Sequence, residues 1–453
     1  MKNKYNAYVL LMASASLIMS GFAHATDLFW SGTSTWDTST QNWGSASGGP
    51  YNTSTWSNAT PDSATFQGTA GTVTLGTNIN IENLTVNLPT ATGSGYSIGN
   101  VGEDNTLTFS GTKTVTVTAT GTGTNQDATI RAGIAGSPTL NITGRLANAV
   151  NTFQLLPGSA VTQTIGTLNM LNTLASNKRL ILGGESTGNV VHAIAWATTA
   201  NQLMLTKAGT GSWTINTNVV GSGKSARLYV EQGTLTLGGT GNFFSHKIGV
   251  ATNRETTFTA SGQDSKLIAN GTITINDSRE YFFVQNKGTL SPGSGTGPEV
   301  KTLHVTWNSD NTGTTGIAQF NMQTGSIYEW DIASKTSTDI INVTTGLSND
   351  GNLTLGNLTL RIRDAGAALP IAFSDELTLF TYETGAQTVS RSIGTIGFDT
   401  SALGLGWTVG SLTVTDDNAG RIFLKGLQFA PVPEPSGAAM IGLAGLLALR
   451  RRR

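Results

Sequence analysis

Period-two alternation, repeated in short bursts along most of the chain, is the feature that most restricts its fold. Thr72-Val73-Thr74-Leu75 is followed by Ile79-Asn80-Ile81 and Leu84-Thr85-Val86-Asn87-Leu88, then by Thr106-Leu107-Thr108-Phe109 and Thr114-Val115-Thr116-Val117-Thr118. Thr234-Leu235-Thr236-Leu237, Thr272-Ile273-Thr274-Ile275, Leu353-Thr354-Leu355 and Leu358-Thr359-Leu360 continue the series. Each burst reads as a short strand, apolar on one face and Thr or Asn on the other. Gly, Asn and Asp turns separate them, often at ~8- to 12-residue spacing. Only 12% of the residues are charged while glycine reaches 56 of 453, so amphipathic helices lack the polar face they need. The recurring β-branched residues equally separate the chain from a disordered linker.

Such strands suit a sandwich, a barrel or a parallel solenoid. The chain is too long for one sandwich, shows no linker, and is too irregular in repeat length for a propeller. Two segments narrow the choice. Leu203-Met204-Leu205-Thr206-Lys207-Ala208-Gly209-Thr210-Gly211-Ser212-Trp213-Thr214-Ile215, continued by Leu228-Tyr229-Val230-Glu231-Gln232-Gly233-Thr234-Leu235-Thr236-Leu237, resembles the autotransporter-associated β-strand repeat. Lys287-Gly288-Thr289-Leu290-Ser291-Pro292-Gly293, then Gly325-Ser326-Ile327-Tyr328-Glu329-Trp330-Asp331-Ile332 and Asp339-Ile340-Ile341-Asn342-Val343, resembles the closing part of the same passenger-type proteins. The resemblance is clear over residues 200–365 and elsewhere rests on texture. Physically, the pattern predicts an all-β, right-handed parallel β-helix. Apolar residues would stack rung on rung, Thr and Asn would face water or form ladders, and glycines would supply φ > 0 corners. Three strands to a rung of about 27 residues predict roughly 15 rungs.

Trp30, Trp36, Trp43 and Trp56 are four of the nine tryptophans and open the exported part of the chain. A similar spacing opens the passenger family. These rings have two readings: they fold inward and cap the first rung, or they form an exposed row that stacks on sugar rings.

Both termini carry targeting patterns. Lys2 and Lys4 precede an apolar stretch from Ala7 to Phe22, and Ala23-His24-Ala25 supplies the small-residue cleavage site of a secretory signal peptide, implying the secretory translocon as partner. At the other end Val432-Pro433-Glu434-Pro435 leads into the uncharged run Gly437 to Leu449, which stops at Arg450-Arg451-Arg452-Arg453. The run predicts a single apolar helix reaching only about 20 Å, short of a ~30 Å hydrocarbon core, with the arginines on the cytoplasmic side. This tail is similar to the PEP-CTERM sorting signal, which implies an exosortase-type membrane protease as processing partner. The alternative is an unprocessed membrane anchor. The expected organisation is therefore a signal peptide over 1–25, a Trp-rich cap over 26–70, a solenoid over 71–430 and a sorting signal over 431–453.

Removing the leader and tail takes Lys2, Lys4, four arginines and Glu434 from 26 basic and 27 acidic residues, leaving 20 and 26, a formal charge near −6. That does not suit nucleic acid. With no cysteine there is neither a disulfide framework nor thiol chemistry. His192, His246 and His304 are isolated, and Gly221-Ser222-Gly223-Lys224-Ser225 reads as a turn because Asn218 stands where a phosphate loop needs glycine. Alternation puts Glu329 and Asp331 on one strand face, where a catalytic pair or calcium site is conceivable and a solvated face is the plainer reading. Asp416 and Asp417 read as a turn after a strand. The expectation is no enzyme and no cofactor, but an exported structural or adhesive surface protein. The alternatives are a polysaccharide-binding or polysaccharide-cleaving β-helix and a membrane-tethered spacer.

Overall fold

The computed structural model describes residues 26–431, apart from 90–94, 120–126, 145–149, 171–176, 197–201, 217–225, 239–241, 246, 251–263, 276–280, 296, 308–317, 345–350 and 385–388. Both targeting segments, the 221–225 turn and His246 lie outside the described residues. Within them the chain is all β. Among the described residues no helix is long and apolar enough to cross a membrane.

Two long parallel sheets run through the fold. Fourteen strands, from Asp27–Trp30 to Ile396–Ala402, pair in sequence order along the first. Thirteen, from Ser34–Trp36 to Val389–Ile393, do the same along the second. The chain alternates between them, so each turn lays one strand on each sheet, the arrangement of a parallel β-helix. At ~4.8 Å per strand the first sheet extends roughly 60 Å.

The third face departs from the expectation of three strands in every rung. Near the N-terminus Ile79–Ile81, Thr106–Phe109 and Gly133–Ala135 form a short sheet, each strand following one of the second sheet. From Asn242–Ser245 onward a seven-stranded sheet provides the third face, and there each parallel strand follows one of the first sheet instead. The extra face has changed corners. Between the two, strands beginning at Thr139, Thr164, Asn189 and Ser212 belong to turns that add only one further strand, on the second sheet.

Register makes the core a set of columns. Leu28, Ala64, Leu84, Val115, Leu140, Leu168 and Ile194 are successive partners on the first sheet, all buried. On the second, Ala128, Phe153, Leu180, Leu205 and Leu228 are successive partners, and further along Phe282, Phe320 and Leu353 are as well. Burying a side chain of this size contributes about 1.5–3 kcal/mol, and in-register stacking repeats the gain at each turn. Outward positions form the expected polar ladders: Asn169 donates to Asn141 at 2.9 Å, and the Thr118 and Thr143 hydroxyls lie 2.9 Å apart. Corners turn on glycine where backbones meet. Gly209 has φ +71°, and a Cβ there would lie 2.5 Å from the Gly184 carbonyl oxygen.

The ends differ. The Phe29 backbone exchanges two 2.9 Å hydrogen bonds with Gly44, and Asn42 donates to the Thr35 carbonyl at 2.7 Å, so the 37–57 segment covers the first strand edges. At the other end the second-sheet column stops at Arg391, the partner of Leu353. The final strands of both long sheets have no partner on their outer edge among the described residues. An antiparallel hairpin of Trp407–Asp416 and Arg421–Phe429 closes the third face.

Candidate functional site

The four N-terminal tryptophans form a plug. The Asp27–Trp30 and Ser34–Trp36 strands aim Trp30 and Trp36 inward, and the covering segment adds Trp43 and Trp56. Trp43 lies 5.0 Å from both Trp30 and Trp36, with interplanar angles of 68° and 67°, and Trp56 lies 4.8 Å from Trp36. Trp30, Trp36 and Trp43 also pack on Phe66. All four are at most 2% exposed, so they offer no open face to a sugar ring, which corrects the stacking-platform reading. Apolar area decides the outcome: indoles gain more by filling the open end of the core than by facing water. Trp30 Nε1 donates to the Gly32 carbonyl at 3.0 Å and Trp56 Nε1 to Asn80 at 3.1 Å, whereas Trp36 and Trp43 Nε1 have no acceptor.

Glu329 and Asp331 share a face, as alternation predicts, but neither is solvated and both are held in ion pairs. The 293–301 loop crosses the outer face of the first sheet, where the Glu299 N–H donates to Asp331 Oδ2 at 2.6 Å, and both carboxylates are buried. Strand register then sets Arg361 beside Glu329 and Arg363 beside Asp331. Arg363 grips Asp331 through two bonds of 2.5 and 2.8 Å and reaches Glu329 at 3.0 Å. Arg361 bridges Glu329 at 3.1 Å and Asp399 at 2.9 Å, and Lys266 pairs with Glu329 from the other side. Charges thus alternate up the sheet from Lys266 through Glu329 and Arg361 to Asp399. Burial opposes the Glu329 charge, yet Lys266, Arg363 and Arg361 outweigh it and hold the carboxyl below its usual range. Asp399, hydrogen-bonded by Ser401 and Arg361, falls to about 2.

Asp339 behaves oppositely. Burial, reinforced by the charge of Asp331, pushes its carboxyl up to about 8, although the Lys301 and Asp331 N–H groups donate to it at 2.7 and 3.0 Å.

Lys207 occupies the lysine position of the strand-repeat motif and is fully buried. Its Nζ donates to the carbonyls of Ala208, Gly209 and Gln232 at 2.8, 2.7 and 3.0 Å, satisfying acceptors left free where consecutive glycine corners stack. Burial pushes the ammonium down to about 8. Beside this corner an open groove of about 350 Å³ is lined by Gly102, Arg131, Gly158, Glu185, Gly209 and Gln232, among others, without an aromatic ring.

The other flagged residues have local roles. His192 and His304 each meet an asparagine one rung on, at 3.4 and 3.0 Å. Asp416 ends its strand, bonded to Tyr382 at 2.5 Å and Arg391 at 2.7 Å, and Asp417 caps the hairpin turn through the Ala419 and Arg421 N–H groups. Among the described residues no three His, Asp or Glu gather as metal ligands. Sequence reading missed Arg361, Arg363 and the Lys207 clamp. The signal for the arginines was present in Leu358-Thr359-Leu360-Arg361-Ile362-Arg363, whose charges have the same spacing as those of the Ile327–Ser334 strand.

No family model matches the chain. Over 88 residues it is 41% identical to the adhesin BmaC autotransporter of Brucella suis biovar 1 (strain 1330), a match covering 17% of this chain and 2% of that protein. The match accords with the passenger-like texture of the strand repeats. This chain spans only a small fraction of the length of that relative.

Proposed function

We propose that this chain is an exported structural or adhesive β-solenoid of the cell surface or extracellular matrix, sorted and trimmed at its C-terminus. The observation that carries the reading is a continuous stacked core with one sealed end, in which the clustered charges neutralise one another. It is supported by the local similarity to an autotransporter adhesin. A surface rod needs a long, rigid, weakly charged body and no active site, and the Glu329–Asp331 face is taken up by ion pairs. The coil is right-handed, in keeping with the strong preference of parallel crossovers.

The termini complete the proposal. Cleavage after Ala25 by the secretory route would release a body beginning at Thr26. Val432, Pro433, Glu434 and Pro435 form the motif read by an exosortase-type protease, and Arg450 to Arg453 hold the end in the cytoplasm. The intact mass of protein recovered from outside its native cells tests this. A C-terminus near Pro433 supports sorting and trimming, whereas an end at Arg453 refutes it and leaves a tethered membrane protein.

A further inference from the structure

Five large hydrophobic side chains are exposed among the described residues, and all but Val101 lie together in the chain's last stretch: Leu369, Phe373, Leu405 and Val409. Backbone contacts tie Phe373 and Val409, and the neighbours of Leu369 and Leu405, to the last strand. Ile371 and Phe429 exchange two hydrogen bonds of 3.0 Å, and the Gly426 N–H donates to the Phe373 carbonyl at 3.1 Å. The Ala430 N–H donates to the Gly406 carbonyl at 3.0 Å, and Val409 is the partner of Leu427. Two loops and the start of one strand thus surround the point where the chain leaves the described body.

Beyond that point the sequence is chemically particular. Val432 to Ser436 form a spacer of about five residues, which spans at most ~17 Å fully extended. The uncharged segment Gly437 to Leu449 comes next. Whenever that segment enters a bilayer, the spacer confines the four apolar side chains to the neighbourhood of the lipid surface. Near them, among the described residues, Glu376 bonds both Arg421 and Lys425, while Asp364 and Asp375 accept only backbone N–H groups. The patch therefore presents apolar tips with no unpaired cation among these groups, so nothing in it draws the tips to anionic lipid. Leu405, 87% exposed on a loop with glycine on either side, has the form of a side chain that immerses singly rather than fitting a protein groove.

We propose that Leu369, Phe373, Leu405 and Val409 form a foot that rests in the interfacial layer of the membrane into which the tail inserts. The proposal rests on the membrane-inserting reading of the tail and adds a second lipid contact. The foot would set the end of the last strand, Phe429, close to the lipid surface. Being apolar, the contact does not require anionic lipid.

The chain has no cysteine, so Leu405→Cys, Val101→Cys and Ala444→Cys variants each carry one fluorescent label. The chain from Thr26 to Arg453 is reconstituted into phosphatidylcholine vesicles and probed with lipid-borne nitroxide and with aqueous iodide. The expected result is several-fold stronger nitroxide quenching at Leu405→Cys than at Val101→Cys, with Ala444→Cys quenched as the marker of tail insertion. An iodide-quenched Leu405→Cys label beside a lipid-quenched Ala444→Cys label overturns the foot and leaves the tail reading intact. If Ala444→Cys is not lipid-quenched, the tail reading fails and overturns the foot with it, an outcome distinct from loss of the foot alone. A Leu405→Cys label shielded from both quenchers shows a protein occupant, a second copy or the tail folded back, and also overturns it.

Discussion

Replacing each tryptophan of the N-terminal plug by phenylalanine should give two classes of variant, although all four rings are equally buried. The change removes roughly half an indole from a packed site, a transfer and cavity loss of about 1–2 kcal/mol. In Trp56→Phe the Asn80 carbonyl also loses a 3.1 Å donor, and in Trp30→Phe the Gly32 carbonyl loses one at 3.0 Å, adding about 1 kcal/mol each. Trp36 and Trp43 present the opposite case. Their Nε1 groups are buried without acceptors, so phenylalanine removes a desolvated donor whose cost is about 1–3 kcal/mol and offsets the packing loss. The near-perpendicular neighbouring rings recover part of that cost through N–H to π contact. Trp36→Phe is therefore expected within about 1 kcal/mol of the parent and Trp56→Phe about 2 kcal/mol less stable than Trp36→Phe. Hydrogen exchange read by mass spectrometry suits a stacked fold, because each rung touches only its neighbours. Amides of Asp27–Trp30 and Thr72–Leu75 should exchange about 30-fold faster in Trp56→Phe than in Trp36→Phe, with Leu358–Asp364 unchanged in both. Equal acceleration in the two variants, or acceleration spread along the whole fold, would refute the reasoning.

Other perturbations test the interior polar groups. Lys207→Met leaves three corner carbonyls without a donor and should cost on the order of 3 kcal/mol, read as faster exchange across residues 202–237. Arg363→Gln strands Asp331 and weakens Glu329, a loss of about 3–5 kcal/mol measurable by urea titration of the C-terminal rungs. Gly209→Ala meets both the φ > 0 penalty and the Gly184 carbonyl and should lower stability by about 2 kcal/mol or more, seen in the same exchange assay. Asp339 gives a pH signature. Its folded value of about 8 lies above the ordinary 3.8, so its stabilising contribution is complete below about pH 4 and is lost as pH rises to 8. Relative to Asp339→Asn, the parent should lose melting temperature between pH 5 and 8, and an identical slope in both would remove the assignment.

Much of the fold was legible because its determinants are local. Alternation alone located strands such as Thr72–Leu75, Leu84–Leu88 and Thr106–Phe109, and the motif glycine at 209 sits at a φ > 0 corner. The tryptophan plug was legible as one of two readings, and burial separates them. What could not be read locally is what depends on register between turns. Glu329 and Arg361 are neighbours only because one rung holds just the residues between them, and only the 293–301 loop turns their outward face into a buried one. The change of corner by the third face is of the same kind. Strand spacing says where strands occur but not which sheet each joins.

The direction of the hydrogen bonds in the two long sheets has a mechanical consequence. They run along the stack, across the strands, so a pull between the two ends of the stack loads them in tension, one rung at a time. Such a body yields by peeling rather than by shearing. Released turn by turn, roughly 400 residues of chain could extend to about 1,300 Å from a stack near 60 Å. Each turn then acts as a sacrificial link, lengthening the connection before the next one carries the load.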